Sequence, residues 1–329
     1  MRPSKMTIIV TLALGVLLGA PLAATGQPRE KVPRVGVLEP GRAPGGRCLP
    51  AFRQGLRDLG YIEDQTITID YRFADGDPDR VPTLLAELVR QTPDVLWTHS
   101  PHAARAAKQA STTIPIVVGV AGFLVEQGLA ASLSRPGGNV TGFELGDIEV
   151  AGKRLQLLKE AVPRVARVAV LVDPTMSPYD DVPRNLEPEA RSLGLRLQRV
   201  EASTPEAFEG AFAAMVRGRA EALMIVDVPL FARNSPQLFE LALRHRLPTI
   251  AGWRRYAEAG SLIAYGANVP DVCRRSAAYV DKILKGAKPG DLPVQRPNKF
   301  ELIINRKTAK ALGVTIPSSL LIVADEVIQ

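Results

Sequence analysis

The sequence predicts an α/β protein built as two doubly wound parallel-sheet lobes, and three observations carry that prediction. Short apolar, β-branched runs alternate with longer stretches of helical period; the alternation starts afresh after the turn cluster Pro136-Gly137-Gly138-Asn139; and 329 residues at 46% apolar content suffice for more than one core.

Val35-Gly36-Val37-Leu38 reads as the first strand. Phe52, Leu56 and Leu59 then recur at the i, i+4, i+7 spacing of one helix face, with Gly60 as the stop. Ile67 to Tyr71 alternates like a second strand, and Val81, Leu84, Leu85 and Leu88 mark the next helix. Val95-Leu96-Trp97 gives a third strand, Ala103 to Ala110 a helix and Ile116 to Val120 a fourth strand, which completes one doubly wound unit. After the turn cluster come a strand at Val140 to Phe143, a helix carrying Leu155, Leu158 and Val162, and a strand at Val168 to Val172. Leu195 to Val200, a helix with Phe208, Phe212 and Met215, the strand Leu223 to Val226, one helix from Leu230 to Arg244 and a short strand near Ile250 complete the second unit. Ser261 to Tyr265, a helix around Ala277, Val280 and Leu284, and a strand at Phe300 to Ile304 remain over.

Residues 1–26 read as a cleaved signal peptide: Arg2 and Lys5 precede an apolar run from Met6 through Ala20, followed by the small residues Ala23, Ala24 and Gly26. The run is short for a span of about 20 residues, and no cysteine near the cut would carry a lipid. Periplasmic export is the expected address. The formal charge is +7, and +5 once Arg2 and Lys5 are removed with the leader. Without Lys/Arg blocks or interleaved aromatics, this mild excess predicts no nucleic-acid partner. With only Cys48 and Cys273, an all-cysteine zinc site and a dense disulfide framework are excluded; one bridge at most can form, and whether it does stays open.

In open parallel sheets, ligands bind beyond the carboxyl ends of the strands. The candidates there are Pro40 and Gly41 after the first strand, His99 and Ser100 after the third, and Ala121, Gly122 and Phe123 after the fourth. In the second unit they are Asp173 with Tyr179, Asp227, Trp253 and Tyr265. Ser100-Pro101 has the form of an N-cap with proline at the first helical position, which aims free N–H groups at the cleft and suits a carboxylate; plain capping explains it too. Trp253, Tyr179, Tyr265 and Phe123 together suggest an aromatic wall, and Asp227 a partner for a ligand ammonium or hydroxyl. His99 and His102 are spaced i, i+3 but lack a third metal ligand, so no metal is expected. Neither a nucleophile elbow, a zinc-protease motif, a P-loop nor a dinucleotide fingerprint is present, so neither cofactor nor catalysis is expected.

Several long motifs resemble one family: Ala51 to Tyr61 (AFRQGLRDLGY), Tyr71 to Arg80 (YRFADGDPDR), Ser134 to Gly142 (SRPGGNVTG), Ala151 to Leu155 (AGKRL), Tyr279 to Lys288 (YVDKILKGAK) and Lys299 to Gly313 (KFELIINRKTAKALG). They are similar to the ABC transporter substrate-binding proteins that include tryptophan-binding TrpX-like members, over nearly the whole mature chain. The resemblance implies a type I periplasmic-binding-protein fold with three hinge crossings. It further implies an N-terminal lobe of residues 33–143 with 267–294, and a C-terminal lobe of residues 144–266 with 295–329. It also implies capture of a small molecule (an amino acid, an aromatic compound or another carboxylate) by a monomer that serves an ABC permease and ATPase. By resemblance, the ligand carboxylate meets His99-Ser100 and Ala121-Gly122-Phe123, and the second lobe supplies an acid. The chain departs from the pattern at Gly122-Phe123-Leu124, where many relatives carry Gly-Asp-Pro, and at Trp253-Arg254. An extracytoplasmic sensor feeding a membrane kinase is the alternative. A secreted enzyme using Asp173, His99 or Asp227 ranks third, and the leader disfavours a cytoplasmic repressor.

Overall fold

The computed structural model describes residues 32–329 except 44, 45, 146 and 178. The signal-peptide expectation for residues 1–26 lies outside them. The first sheet holds β1 (Arg34–Glu39), β2 (Thr68–Phe73), β3 (Val95–Thr98), β4 (Ile116–Gly122) and β5 (Val140–Leu145), all parallel, in the order β2-β1-β3-β4-β5. Between them run α1 (Cys48–Asp58), α2 (Val81–Arg90) and α3 (Pro101–Ala110). The chain then crosses into α4 (Asp147–Ala161), β6 (Arg167–Val172), α5 (Val182–Ser192), β7 (Arg196–Glu201), α6 (Phe208–Arg217) and β8 (Ala222–Ile225). It continues through α7 (Pro229–Arg233), α8 (Ser235–Arg244), β9 (Thr249–Ala251), α9 (Arg254–Glu258) and β10 (Ile263–Ala267). The strand order β7-β6-β8-β9-β10 repeats that of the first sheet.

Two further crossings follow. α10 (Val269–Leu284) returns to the first sheet, where Cys273, Ala277 and Val280 share a core with Val35, Phe52, Trp97 and Val117. The chain then passes back to β11 (Phe300–Asn305), α11 (Arg306–Leu312), α12 (Ser318–Val323) and β12 (Glu326–Ile328). β11 lies antiparallel to β10, which is possible because the chain reaches it from the other lobe rather than by a helical crossover. The crossings are tied to one another. Gln295 donates its N–H to Gly142 at 2.9 Å and accepts from Glu144 at 2.8 Å, while the Asn268 N–H donates to Lys299 at 3.0 Å.

Helices on both faces bury the inner strands, and Val168 through Val172 of β6 are each 0% exposed, while the edge strands β2 and β7 stay mostly half-buried or exposed. Trp97 organises the core of the first lobe. Its ring stacks on Phe52 at 4.2 Å and its indole N–H donates to Ser276 Oγ at 2.9 Å, so β3, α1 and α10 meet on one side chain. Close packing of α1 on α10 needs Gly55, since a Cβ there would stand 2.2 Å from the Arg274 carbonyl oxygen.

Three local readings change. The single helix expected from Leu230 to Arg244 is broken at Asn234, whose side chain donates back to the Leu230 carbonyl just before Pro236. Leu59, expected on the buried face, is 42% exposed at the end of α1. Periodicity showed no helix ahead of Leu195; α5 forms there around Pro183 at its start and Pro188 in its interior.

Cys48 and Cys273 form a disulfide joining α1 to α10 across a sequence separation of 225. The chain-entropy relation values a loop of that length at about 5 kcal/mol. Reduction, or the double variant Cys48→Ser/Cys273→Ser, should therefore lower the urea midpoint by a corresponding amount, read by equilibrium unfolding with and without reductant.

Candidate functional site

On the first lobe the predicted residues gather at the carboxyl edge. Glu39 ends β1 in full burial; its carboxylate accepts from the Gly41 N–H at 2.9 Å and lies 2.9 and 3.0 Å from His99 Nε2. Burial pushes the Glu39 carboxyl up, but the hydrogen bond and charge of His99, with the Gly41 N–H, outweigh it and hold the group below its ordinary value. The Pro40 carbonyl accepts from the Gly76 N–H at 2.8 Å, which fixes this loop to the one after β2. Ser100 caps α3, accepting from the Ala103 N–H at 3.0 Å, with Pro101 next in line. Ala121 and Gly122 are buried where β4 shifts register against β5, and Phe123 follows in the left-handed region at φ 57°.

On the second lobe, Asp173 is buried after β6. Its Oδ1 accepts from both the N–H and hydroxyl of Thr175, at 3.0 and 2.7 Å, while Oδ2 has no hydrogen-bond partner among the described residues. Two turns link it to Tyr179: Met176 N–H to the Asp173 carbonyl at 3.1 Å, then Tyr179 N–H to the Met176 carbonyl at 2.7 Å. The Tyr179 ring meets Phe123 edge-on at 4.7 Å, so an aromatic pair spans the two lobes. Phe123, although it leaves the first sheet, packs with the second lobe's core. A second bridge is exposed: Arg47 Nη2 stands 2.6 Å from Glu258 Oε1.

Asp227 is not left open as a ligand acid. Val228 occupies the N-cap of α7, and Asp227 is buried with Oδ1 accepting from the Gly252 N–H at 2.9 Å and Oδ2 2.7 Å from Arg154 Nη2. Burial pushes its carboxyl up, against the Arg154 charge and the Gly252 N–H. Arg154 also donates through Nε to the Tyr265 carbonyl at 2.8 Å, so the Arg154–Asp227 pair, with the Gly252 N–H, ties the loops after β8 and β9 to β10. The expected aromatic wall resolves into separate pairs: Phe123 on Tyr179, Trp253 stacked on Tyr256 at 5.6 Å, and Tyr265 stacked on Phe300 at 6.0 Å. Arg254 is consumed by Glu301, at 2.8 Å, and by Glu326. Among the described residues no cluster of three or more His, Cys, Asp or Glu is placed to hold a metal.

The ABC transporter substrate binding protein family model matches residues 47–328. The chain belongs to that family. It is a solute-binding protein rather than an enzyme, and it takes a small molecule to an ABC permease and ATPase. A tyrosine-binding protein of Clostridioides difficile is 27% identical over 263 residues, covering 80% of this chain and 75% of that one. A conserved domain protein from Vibrio cholerae superposes with a TM-score of 0.81 at 28% identity, over 90% of this chain and all of the other. An ABC domain from Streptococcus pneumonia in complex with L-Trp gives 0.82 at 24% identity, over 90% and 99%. These neighbours share the type I periplasmic-binding architecture of two hinged α/β lobes.

In this substrate-binding protein, reasoning from sequence gave no role to Glu39, Arg154, Thr175 or Gly252. The signals were present in part: Glu39 is an acid closing an apolar strand, and Arg154 lies inside the AGKRL motif. Gly252 has a steric reason, since a Cβ there would stand 1.8 Å from Asp227 Oδ2 and 2.1 Å from Arg154 Nη2. Gly252→Ala should cost about 1–3 kcal/mol by overpacking. Asp227→Ala, which strands the buried guanidinium, should cost about 3–5 kcal/mol. Urea unfolding of both variants checks the order.

Proposed function

We propose that this protein captures an amino acid with an aromatic or apolar side chain, or a related small carboxylate, between its lobes in the periplasm, as a monomer. The observation that carries the proposal is the Phe123–Tyr179 pair bridging the lobes, with His99 and the start of α3 on one side and the open Asp173 oxygen on the other. A ligand ring or aliphatic chain would enter between the two aromatic side chains, where burial and edge-to-face geometry reward it. The carboxylate would face His99 and the N-terminal turn of α3, and an ammonium would meet Asp173 Oδ2. The relative named as tyrosine-binding supports this class at 27% identity. Export is supported by the basic-then-apolar pattern of residues 1–26 and by the Cys48–Cys273 disulfide, a bond that persists in oxidising compartments. Among the described residues no helix is long and apolar enough to cross a membrane. The ligand is released unchanged, and lobe closure reports its presence to the permease.

Thermal shift and calorimetry with L-tyrosine, L-tryptophan, L-phenylalanine, tyramine and 4-hydroxyphenylacetate test the reading. A bound amino acid at a hundred times its Kd should stabilise the fold by about 2.7 kcal/mol. Tyramine, lacking the carboxylate, should give no shift, and Asp173→Asn should weaken the amino acids more than 4-hydroxyphenylacetate. No response to any of the carboxylates would refute it.

A further inference from the structure

We propose that Glu39 is a positioning residue for His99, and that the pair forms a proton-linked pole for an anionic ligand group; the second half rests on the ligand reading above. β1 and β3 are neighbours, with Leu38 opposite Thr98, so Glu39 and His99 are adjacent at the carboxyl edge. Both Glu39 oxygens lie within 3.0 Å of His99 Nε2, and the Gly41 N–H also donates to the carboxylate, to Oε1 at 2.9 Å. A carboxylate only accepts, so Nε2 must carry the proton. His99 Nδ1 makes no protein hydrogen bond among the described residues and is the valence left for a ligand.

That fixed tautomer gives the pole two states of opposite sign. In the neutral ring Nδ1 is a lone pair, which turns a carboxylate away; in the charged ring it is an N–H donor, which binds one. Capture of a carboxylate is then coupled to uptake of a proton at His99, and the buried Glu39 charge offsets the charge that appears there. The hold on Glu39 described above, below its ordinary value, agrees with a carboxylate that keeps its charge beside the ring. The other charged or titratable groups on the adjoining segments include Arg42 and the Arg47–Glu258 pair beyond Gly41, the Asp75–Arg80 pair with Asp77 and Asp79 after β2, His102 and Arg105 on α3, and Glu126 and Glu144 by the end of β4. Asp173 and Tyr179 belong to the opposite lobe. The Trp97 ring, 5.7 Å from His99, adds packing without charge.

The test uses the mature chain in two arms. Long-range proton–nitrogen correlation NMR reads the imidazole tautomers without ligand; the chain has 3 histidines, and His99→Gln identifies the resonance. The neutral His99 ring should be the Nε2–H form, and Glu39→Gln should mix the tautomers. Calorimetry with L-tyrosine, whose carboxylate and ammonium keep their charges between about pH 5.5 and 7.5, reads the linkage. Because the charged ring donates a charge-assisted hydrogen bond that the neutral ring cannot make, Kd should weaken by about tenfold or more from low to high pH. That slope should vanish in His99→Gln, flatten in Glu39→Gln and persist in His102→Gln. An Nδ1–H tautomer in the wild type overturns the positioning role. A Kd indifferent to pH and to His99→Gln overturns the proton-linked pole. If none of the carboxylates tried above binds at any pH while the tautomer is as expected, the ligand reading and the pole fall together and the positioning role stands.

Discussion

Parallel strands can be joined only by crossovers, so β1 to β5 of the first sheet and β6 to β10 of the second each end on one edge, and the loops leaving that edge are brought together whatever their separation in sequence. Nearly every candidate residue depends on this constraint. Glu39, His99 and Phe123 follow β1, β3 and β4; Asp173, Asp227 and Trp253 follow β6, β8 and β9. Because the two sheets repeat one strand order and three crossings connect them, each lobe brings an equivalent rim to the crevice.

The polar groups at those rims divide by whether their valences are used. Arg154 with Asp227, Arg254 with Glu301, and Glu144 with the Leu124 N–H and Arg296 are paired within the protein. Burial pushes the Glu144 carboxyl up, and its partners only partly oppose this. Such groups shape the crevice, since removing one partner leaves a buried charge without compensation. His99 and Asp173 are different: each is held by a neighbour through one atom, which orients the side chain, and keeps another atom without a hydrogen-bond partner among the described residues. Preorganised groups with an open valence are what a binding site requires, because the cost of ordering them is met on folding and not on capture.

Much of the fold was legible because its signals are local. Apolar strands separated by helical period, the Ser100-Pro101 cap and the Gly60 stop each act within one turn of chain. The break at Asn234 was hidden because the apolar period continues through Leu238 and Leu241, although Pro236 lies beside it. The site was legible as a set of strand ends and much less as a set of roles. That Asp227 pairs with Arg154 cannot be read from residues 73 apart, and its apparent freedom as a ligand acid followed from that. The aromatic residues misled similarly: Trp253 and Tyr265 sit at the rim as expected, but Tyr256 and Phe300 claim their faces.

A crystal structure of the mature chain grown with L-tyrosine tests the central claim most directly. The account predicts density for one intact ligand between the lobes, its ring beside Phe123 and Tyr179, its carboxylate at His99 and the start of α3, and its ammonium at Asp173. A ligand bound away from the strand tips, or Phe123 and Tyr179 still closed on each other at saturating ligand, would contradict it.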